Sequence, residues 1–344
     1  MTEQPEKPDF IADQFGNVQD VRHLKYTQKY APSSTRKPKD TPSPGGRSSQ
    51  SGSQSLRKSE SYMYVIGALV VIAAILVCGL YNARLQSLNN AANIYFNEAE
   101  NYFDEGDYDE AIASYDKAIQ LRSDFGQAYN NRGLAYHAKG DYDKAIEDAN
   151  KAIELLPNSA SGYNNRGNAY IEKGDYDKAI ADFDKALQLN PKFAKAYYNR
   201  GLAYYDKGDY DKAIMDFGQA IQFTSETSYA MLHNAPTDEG YEMLKRMGDR
   251  LEAIQFDADL PLVYLNRGTA YYAKDELDQA IADYTKAIQL QPDLALAYYG
   301  RGAAYYTIGD YDKAITDLKK VLELNNDSTT QQAAQALLNE LGIK

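Results

Sequence analysis

The chain has 344 residues and a net charge of -12, too long for one small core and suited to an array of small units. Charge is spread unevenly: residues 1–60 carry ten Lys/Arg against seven Asp/Glu, whereas residues 61–344 carry 27 against 42, so the larger part would repel nucleic-acid phosphates. Cys78 is the single cysteine, which excludes an intrachain disulfide and a Cys-based zinc site.

The first segment, residues 1–61, reads as a disordered, basic tail. Residues 32–56 are rich in Pro, Ser, Thr and Gly and cannot bury enough apolar surface to offset chain entropy. Between residues 21 and 59 lie nine Lys/Arg and one acid, Asp40. They read first as a solvated tail and second as a patch drawn to an anionic membrane leaflet. From Tyr62 to Tyr81 there are twenty residues without a charge. A helix of that length spans roughly 30 Å, the thickness of a bilayer core, and Tyr62, Tyr64 and Tyr81 stand where an aromatic belt would stand. Residues 62–81 are therefore expected to form a transmembrane helix, followed by a short linker over 82–91. Arg47, Arg57 and Lys58 precede the span closely, and only Arg84 follows it. The positive side stays cytoplasmic, which places the N-terminus in the cytoplasm and the rest on the non-cytoplasmic side of a single-pass membrane protein.

Beyond residue 91 the sequence repeats itself at a fixed step, the one that separates Gly106 from Gly140. Gly-Asp-Tyr-Asp begins at Gly106, Gly140, Gly174, Gly208 and Gly309, with a degenerate copy at Asp275-Glu276-Leu277-Asp278. Each copy leads into Ala-Ile, and Tyr-x-Asn-Arg-Gly-x-x-Tyr runs upstream, as in Tyr129 to Tyr136 and Tyr197 to Tyr204. Tyr129, Gly133 and Tyr136 fall on one helical face. Glycine in the middle admits a close partner helix, Asp141 is placed to cap a second helix, and Ala145, Ala149 and Ala152 give that helix a small packing face. The pattern resembles the tetratricopeptide-repeat (TPR) family over roughly residues 92–328. The resemblance implies an all-α fold, a TPR helix-turn-helix solenoid (superhelix) preceded by a disordered N-terminal tail and one transmembrane helix. Four units are expected over 92–227 and two over 261–328, with a capping helix over 329–344. Residues 228–260 occupy the room of one repeat but carry Pro236 and no Tyr-x-Asn-Arg-Gly. They read as an eroded unit, or alternatively as an insertion.

The paired carboxylates recur at the same turn of nearly every unit and read as helix-terminal groups. No nucleophile–histidine arrangement and no phosphate-cradling loop stands out, so no catalytic residue, cofactor, metal or small-molecule substrate is expected, and no nucleic acid. In the family the first helices line a concave groove for peptide segments. That resemblance assigns to the groove Phe96 and Phe103; Asn130, Leu134 and His137; Asn164, Asn168 and Ile171; Lys195, Tyr198, Leu202 and Tyr205; Leu265 and Tyr272; and Tyr299 and Tyr306. Tyr198, Tyr205 and Asn168 are expected to share one patch, with Tyr197 and Tyr204 facing the core. Chaperone-binding members hold a carboxylate in a clamp of five side chains. Here Asn165 and Lys195 match it, but Asn130, Leu134 and Asn199 occupy the other places, so the clamp is incomplete. The function expected is a membrane-anchored scaffold for other proteins. The alternative is an import-receptor-like or chaperone-docking protein with its repeats facing the cytosol.

Overall fold

The computed structural model describes residues 53–234, 249–324 and 328–343. Among them every regular element is an α-helix, thirteen in all. Two compact units are distinguished among the described residues, one including residues 53–91 and one beginning at Ala92. Expectations for residues 1–52, including most of the basic run, lie outside the described residues, as does Pro236.

Helix α1 spans Ser53–Glu105 without a break. Two expected boundaries are thereby corrected: residues 53–61 are helical rather than part of the tail, and residues 82–91 are helix rather than linker. The reason is local. No Gly or Pro stands between Leu80 and Gly106, so nothing in that stretch breaks the backbone ladder. Within α1, Leu69–Glu105 contains a window of mean hydropathy 1.8, and none of that window is buried. Leu80 is 73% exposed and Val77 65%. By length and composition this stretch is long and apolar enough to cross a membrane.

From Ala92 the structure is a stack of antiparallel helix pairs, a helical solenoid. The end of α1 and α2 (Tyr108–Leu121) form the first pair. The second is α3 (Gly126–Ala138) with α4 (Tyr142–Leu155), the third α5 (Ala160–Glu172) with α6 (Tyr176–Leu189), and the fourth α7 (Ala194–Asp206) with α8 (Tyr210–Asn234). Then come α9 (Asp249–Ala273) with α10 (Leu277–Leu290), α11 (Ala295–Ile308) with α12 (Tyr311–Leu324), and a closing α13 (Ser328–Glu340). The closing helix buries Ala334 and Leu338 against Leu318 and Val321 of the last pair. The other second helices have 14 residues, but α8 has 25, as does the first helix α9, which carries Pro261 in its interior. The unit is therefore not opened by a helix start at residue 261.

The repeat explains its own turns. Gly106, Gly140, Gly174, Gly208 and Gly309 all adopt φ between 73° and 86°, and Asp275 takes their place at φ 66° in the degenerate copy. This left-handed corner suits glycine, and Asp is among the few other residues that tolerate it. Asp141, Asp209 and Asp310 then accept a hydrogen bond from the backbone N–H three residues on, at 3.3 Å each, as the capping expectation requires. Between the helices of a pair, a Cβ added at Gly167 would lie 2.6 Å from the Phe183 ring, and one at Gly201 would lie 2.8 Å from Phe217. Phe183, Phe217, Tyr115 and Leu318 are buried at this inter-helix position, while the second full unit has the smaller Ala149 there.

Candidate functional site

The recurring arginine fixes how the first helices are presented. Arg132, Arg166, Arg200, Arg267 and Arg301 each donate two hydrogen bonds to the aspartate sixteen residues later on their own second helix. Their partners are Asp148, Asp182, Asp216, Asp283 and Asp317, at 2.6–2.8 Å. The third nitrogen reaches back to the preceding pair: Arg132 to Asp116, Arg166 to Asn150 at 2.6 Å, Arg200 to Asp184 at 2.5 Å and Arg301 to Thr285 at 3.0 Å. Rings on either side flank the guanidinium. Arg200 lies 5.5 Å from the Tyr197 ring centre and 5.9 Å from that of Tyr204. The bidentate pairing thus locks the two helices of one unit together, and the third nitrogen ties that unit to the one before it.

A second ladder crosses the first helices. Asn131 donates to the Glu100 carboxylate at 2.7 Å, Asn165 to Asn130 at 3.0 Å, Asn199 to Asn164 at 3.0 Å and Asn266 to the Tyr198 hydroxyl at 2.9 Å. A carboxylate only accepts, so Glu100 fixes which way the Asn131 amide points. Neighbouring amides complete the chain, Asn130 donating to Asn131 and Asn164 to Asn165. Asn130 and Asn164 read in the sequence as groove contacts, yet each is bonded to the unit beside it.

The structure sorts the sequence-predicted groove residues into two groups. Asn164 at 2%, Leu265 at 8% and Tyr299 at 4% are buried. Asn199 roofs Asn164, Leu265 packs with Tyr284 and Ala297, and Tyr299 lies under Ala334 and Leu338 of α13. A ligand cannot reach them without moving a helix. The other candidates, Phe96, Phe103, Asn130, Leu134, His137, Asn168, Ile171, Lys195, Tyr198, Leu202, Tyr205, Tyr272 and Tyr306, are half-buried on the first helices. Tyr198 does not separate cleanly from the core. Its ring lies 5.8 Å from Phe217 and its hydroxyl accepts from Asn266. Tyr197 and Tyr204, assigned to the core, are themselves only half-buried around Arg200.

Two carboxylates beside this row escaped the sequence reading. Glu172 and Asp206 directly follow Ile171 and Tyr205 at the ends of their first helices. Asp206 is exposed at its surface, yet the protein packed around its carboxyl and the nearby Glu172 charge push it up to about 6. Burial likewise raises Glu172, opposed by a hydrogen bond from Tyr142. Neither has an ion-pair partner among the described residues, unlike the aspartates of the arginine ladder. His137 stacks edge-on with Tyr142 at 5.3 Å, and its Nε2 is enclosed without a hydrogen-bond partner. Burial and the Lys195 charge hold its imidazole below the usual range. The signal in the sequence was one step from the assigned positions: an acid after the groove residue in two adjacent units.

Residues 99–140, 167–208 and 268–309 match the family model described as TPR repeat. Residues 126–159, 194–223, 295–328 and 149–181 match models described as tetratricopeptide repeat. No curated protein matches the sequence. Among solved structures, the chain resembles the one titled as the functional characterization of Pseudomonas aeruginosa pilF, at 18% identity and a TM-score of 0.55, over 73% of this chain and 99% of that one. It also resembles the APC/C hetero-tetramer Cut9-Hcn1, at 17% identity and a TM-score of 0.57, covering 74% of this chain but only 45% of that one. A third similarity is to YrrB, titled as a TPR protein with an unusual peptide-binding site, at 20% identity and a TM-score of 0.46, over 64% of this chain and 97% of that one. These likenesses concern the fold, whereas the repeat matches extend over more than half of the sequence. The chain belongs to the tetratricopeptide-repeat family.

Proposed function

We propose that this protein is a membrane-anchored scaffold that holds an extended segment of a partner protein along its first helices and performs no chemistry of its own. The observation that carries this reading is the row of half-buried aromatic side chains, Tyr198, Tyr205, Tyr272 and Tyr306, on successive described first helices. Such rings present large contact area at small entropic cost and are common anchors of protein interfaces. Beside them Glu172 and Asp206 favour a partner that brings a basic side chain to that end of the row, because they are two nearby like charges with no ion-pair partner among the described residues.

The anchor in this reading is the run from Tyr62 to Tyr81 within α1, supported by the exposed apolar side chains from Leu69 onward. With three basic residues closely before the span and one after it, the N-terminus lies in the cytoplasm and the repeats on the other side. The full chain is expected to stay with membranes after alkaline carbonate extraction, whereas residues 92–344 produced alone are released. In intact cells an external protease should spare the N-terminal tail and reach the repeats once any outer barrier is opened. Extraction of the full chain by carbonate contradicts the anchor. Retention with repeats cleaved only after the cytoplasm is opened supports the cytosol-facing alternative.

A further inference from the structure

The segment 228–260 stands where a seventh unit would fit by length, since the step from Gly208 to Asp275 falls one residue short of twice the step from Gly140 to Gly174. Contacts on either side of it say how the flanking units meet. In three successive junctions a lysine at the end of a first helix pairs with an aspartate of the preceding second helix: Lys139 with Asp109, Lys173 with Asp143 and Lys207 with Asp177. Lys274 makes the same pair with Asp211 at 2.6 Å, although the whole of 228–260 intervenes in the sequence.

The other junction contacts agree. Asn266 donates to Tyr198 as Asn165 does to Asn130 and Asn199 to Asn164. Arg267 stands 3.7 Å from where a Cβ of Gly218 would be, the position at which Asp116, Asn150, Asp184 and Thr285 accept from their arginines. Val263 and Ala270 of α9 share one buried cluster with Ala213, Phe217 and Ala220 of α8. A unit lying between them would add two helix layers at about 8–10 Å each, far beyond the reach of an ion pair. With 228–260 removed, Gly208 and Asp275 stand at the same step as Gly140 and Gly174, so the repeat period continues across the junction.

We propose that the units 194–227 and 261–294 are immediate neighbours and that residues 228–260 are an insertion at their junction, not a repeat of the stack. The first-helix face then runs on across the junction. Its central patch is composite, with Tyr198 and Tyr205 contributed from before the insertion and Asn266 and Tyr272 from after it. The use of that patch for a partner segment rests on the function proposed above, but the geometry does not, and the two fail separately.

Spin-label distances in the full chain test the geometry. Ala113, Glu147, Ala181, Met215 and Ala282 occupy equivalent exposed places on successive second helices. In a Cys78→Ser background, the pairs Ala181→Cys with Ala282→Cys, Glu147→Cys with Met215→Cys, and Ala113→Cys with Met215→Cys are labelled and measured by pulsed electron resonance. The first distance should match the second, which spans two units. A first distance that matches the third, which spans three, overturns the inference and restores a seventh unit. Partner binding plays no part in either outcome.

Discussion

Replacing Arg200 by alanine is expected to destabilise the repeat array by about 3–5 kcal/mol, the usual cost of stranding one member of a buried ion pair. The Asp216 side chain is only 7% exposed and accepts both prongs of the guanidinium. Burial pushes its carboxyl above the ordinary range even with Arg200 in place. Without the arginine it must protonate or draw in water. The same change also removes the contact back to Asp184 and the cation between Tyr197 and Tyr204. By contrast, Lys144→Ala removes only an exposed, solvent-screened pair with Asp141, and a loss far smaller than that of the arginine variant is expected. Chemical denaturation of the two variants in parallel checks the contrast, and equal losses would show that the arginine ladder is a surface feature.

Gly167→Leu is expected to cost about 1–3 kcal/mol or more through overpacking. The first added carbon would stand 2.6 Å from the fully buried Phe183 ring, and that ring cannot retreat from a packed interior. Phe183→Ala alone leaves a cavity and should lose about 3–5 kcal/mol. Together the two changes should cost clearly less than the sum of their separate effects, because the leucine fills space the ring vacated. Strict additivity in denaturation measurements would mean that Gly167 and Phe183 do not meet.

Much of the fold was legible because repetition multiplies each signal. One Gly-Asp-Tyr-Asp is a weak turn cue, but five copies in register, each followed by Ala-Ile, specify a helix pair and its corner. The groove was less legible. Asn130 and Asn164 look like free amides on a first helix, and only the stacking of the next unit shows them bonded to Asn165 and Asn199. Tyr299 is buried by α13, a helix outside the repeat pattern. The arginine was visible in the motif, yet its aspartate lies on another helix and is found only once the pair is folded. Residues 82–91 stay helical because the stretch contains no helix breaker, a cue that was present in the sequence.

A partner protein held on the first-helix face, on both sides of the proposed insertion, would be captured by a cross-linker placed there. The experiment puts a photo-reactive benzoylphenylalanine at Tyr205, at Tyr272 or at Met215 in the full chain, in cells that make it. Met215 is 70% exposed on a second helix and serves as the control. Tyr205→benzoylphenylalanine and Tyr272→benzoylphenylalanine should capture the same partner on irradiation, while Met215→benzoylphenylalanine captures none. Capture from Met215 with none from Tyr205 or Tyr272 would contradict this expectation and place the working surface on the second helices.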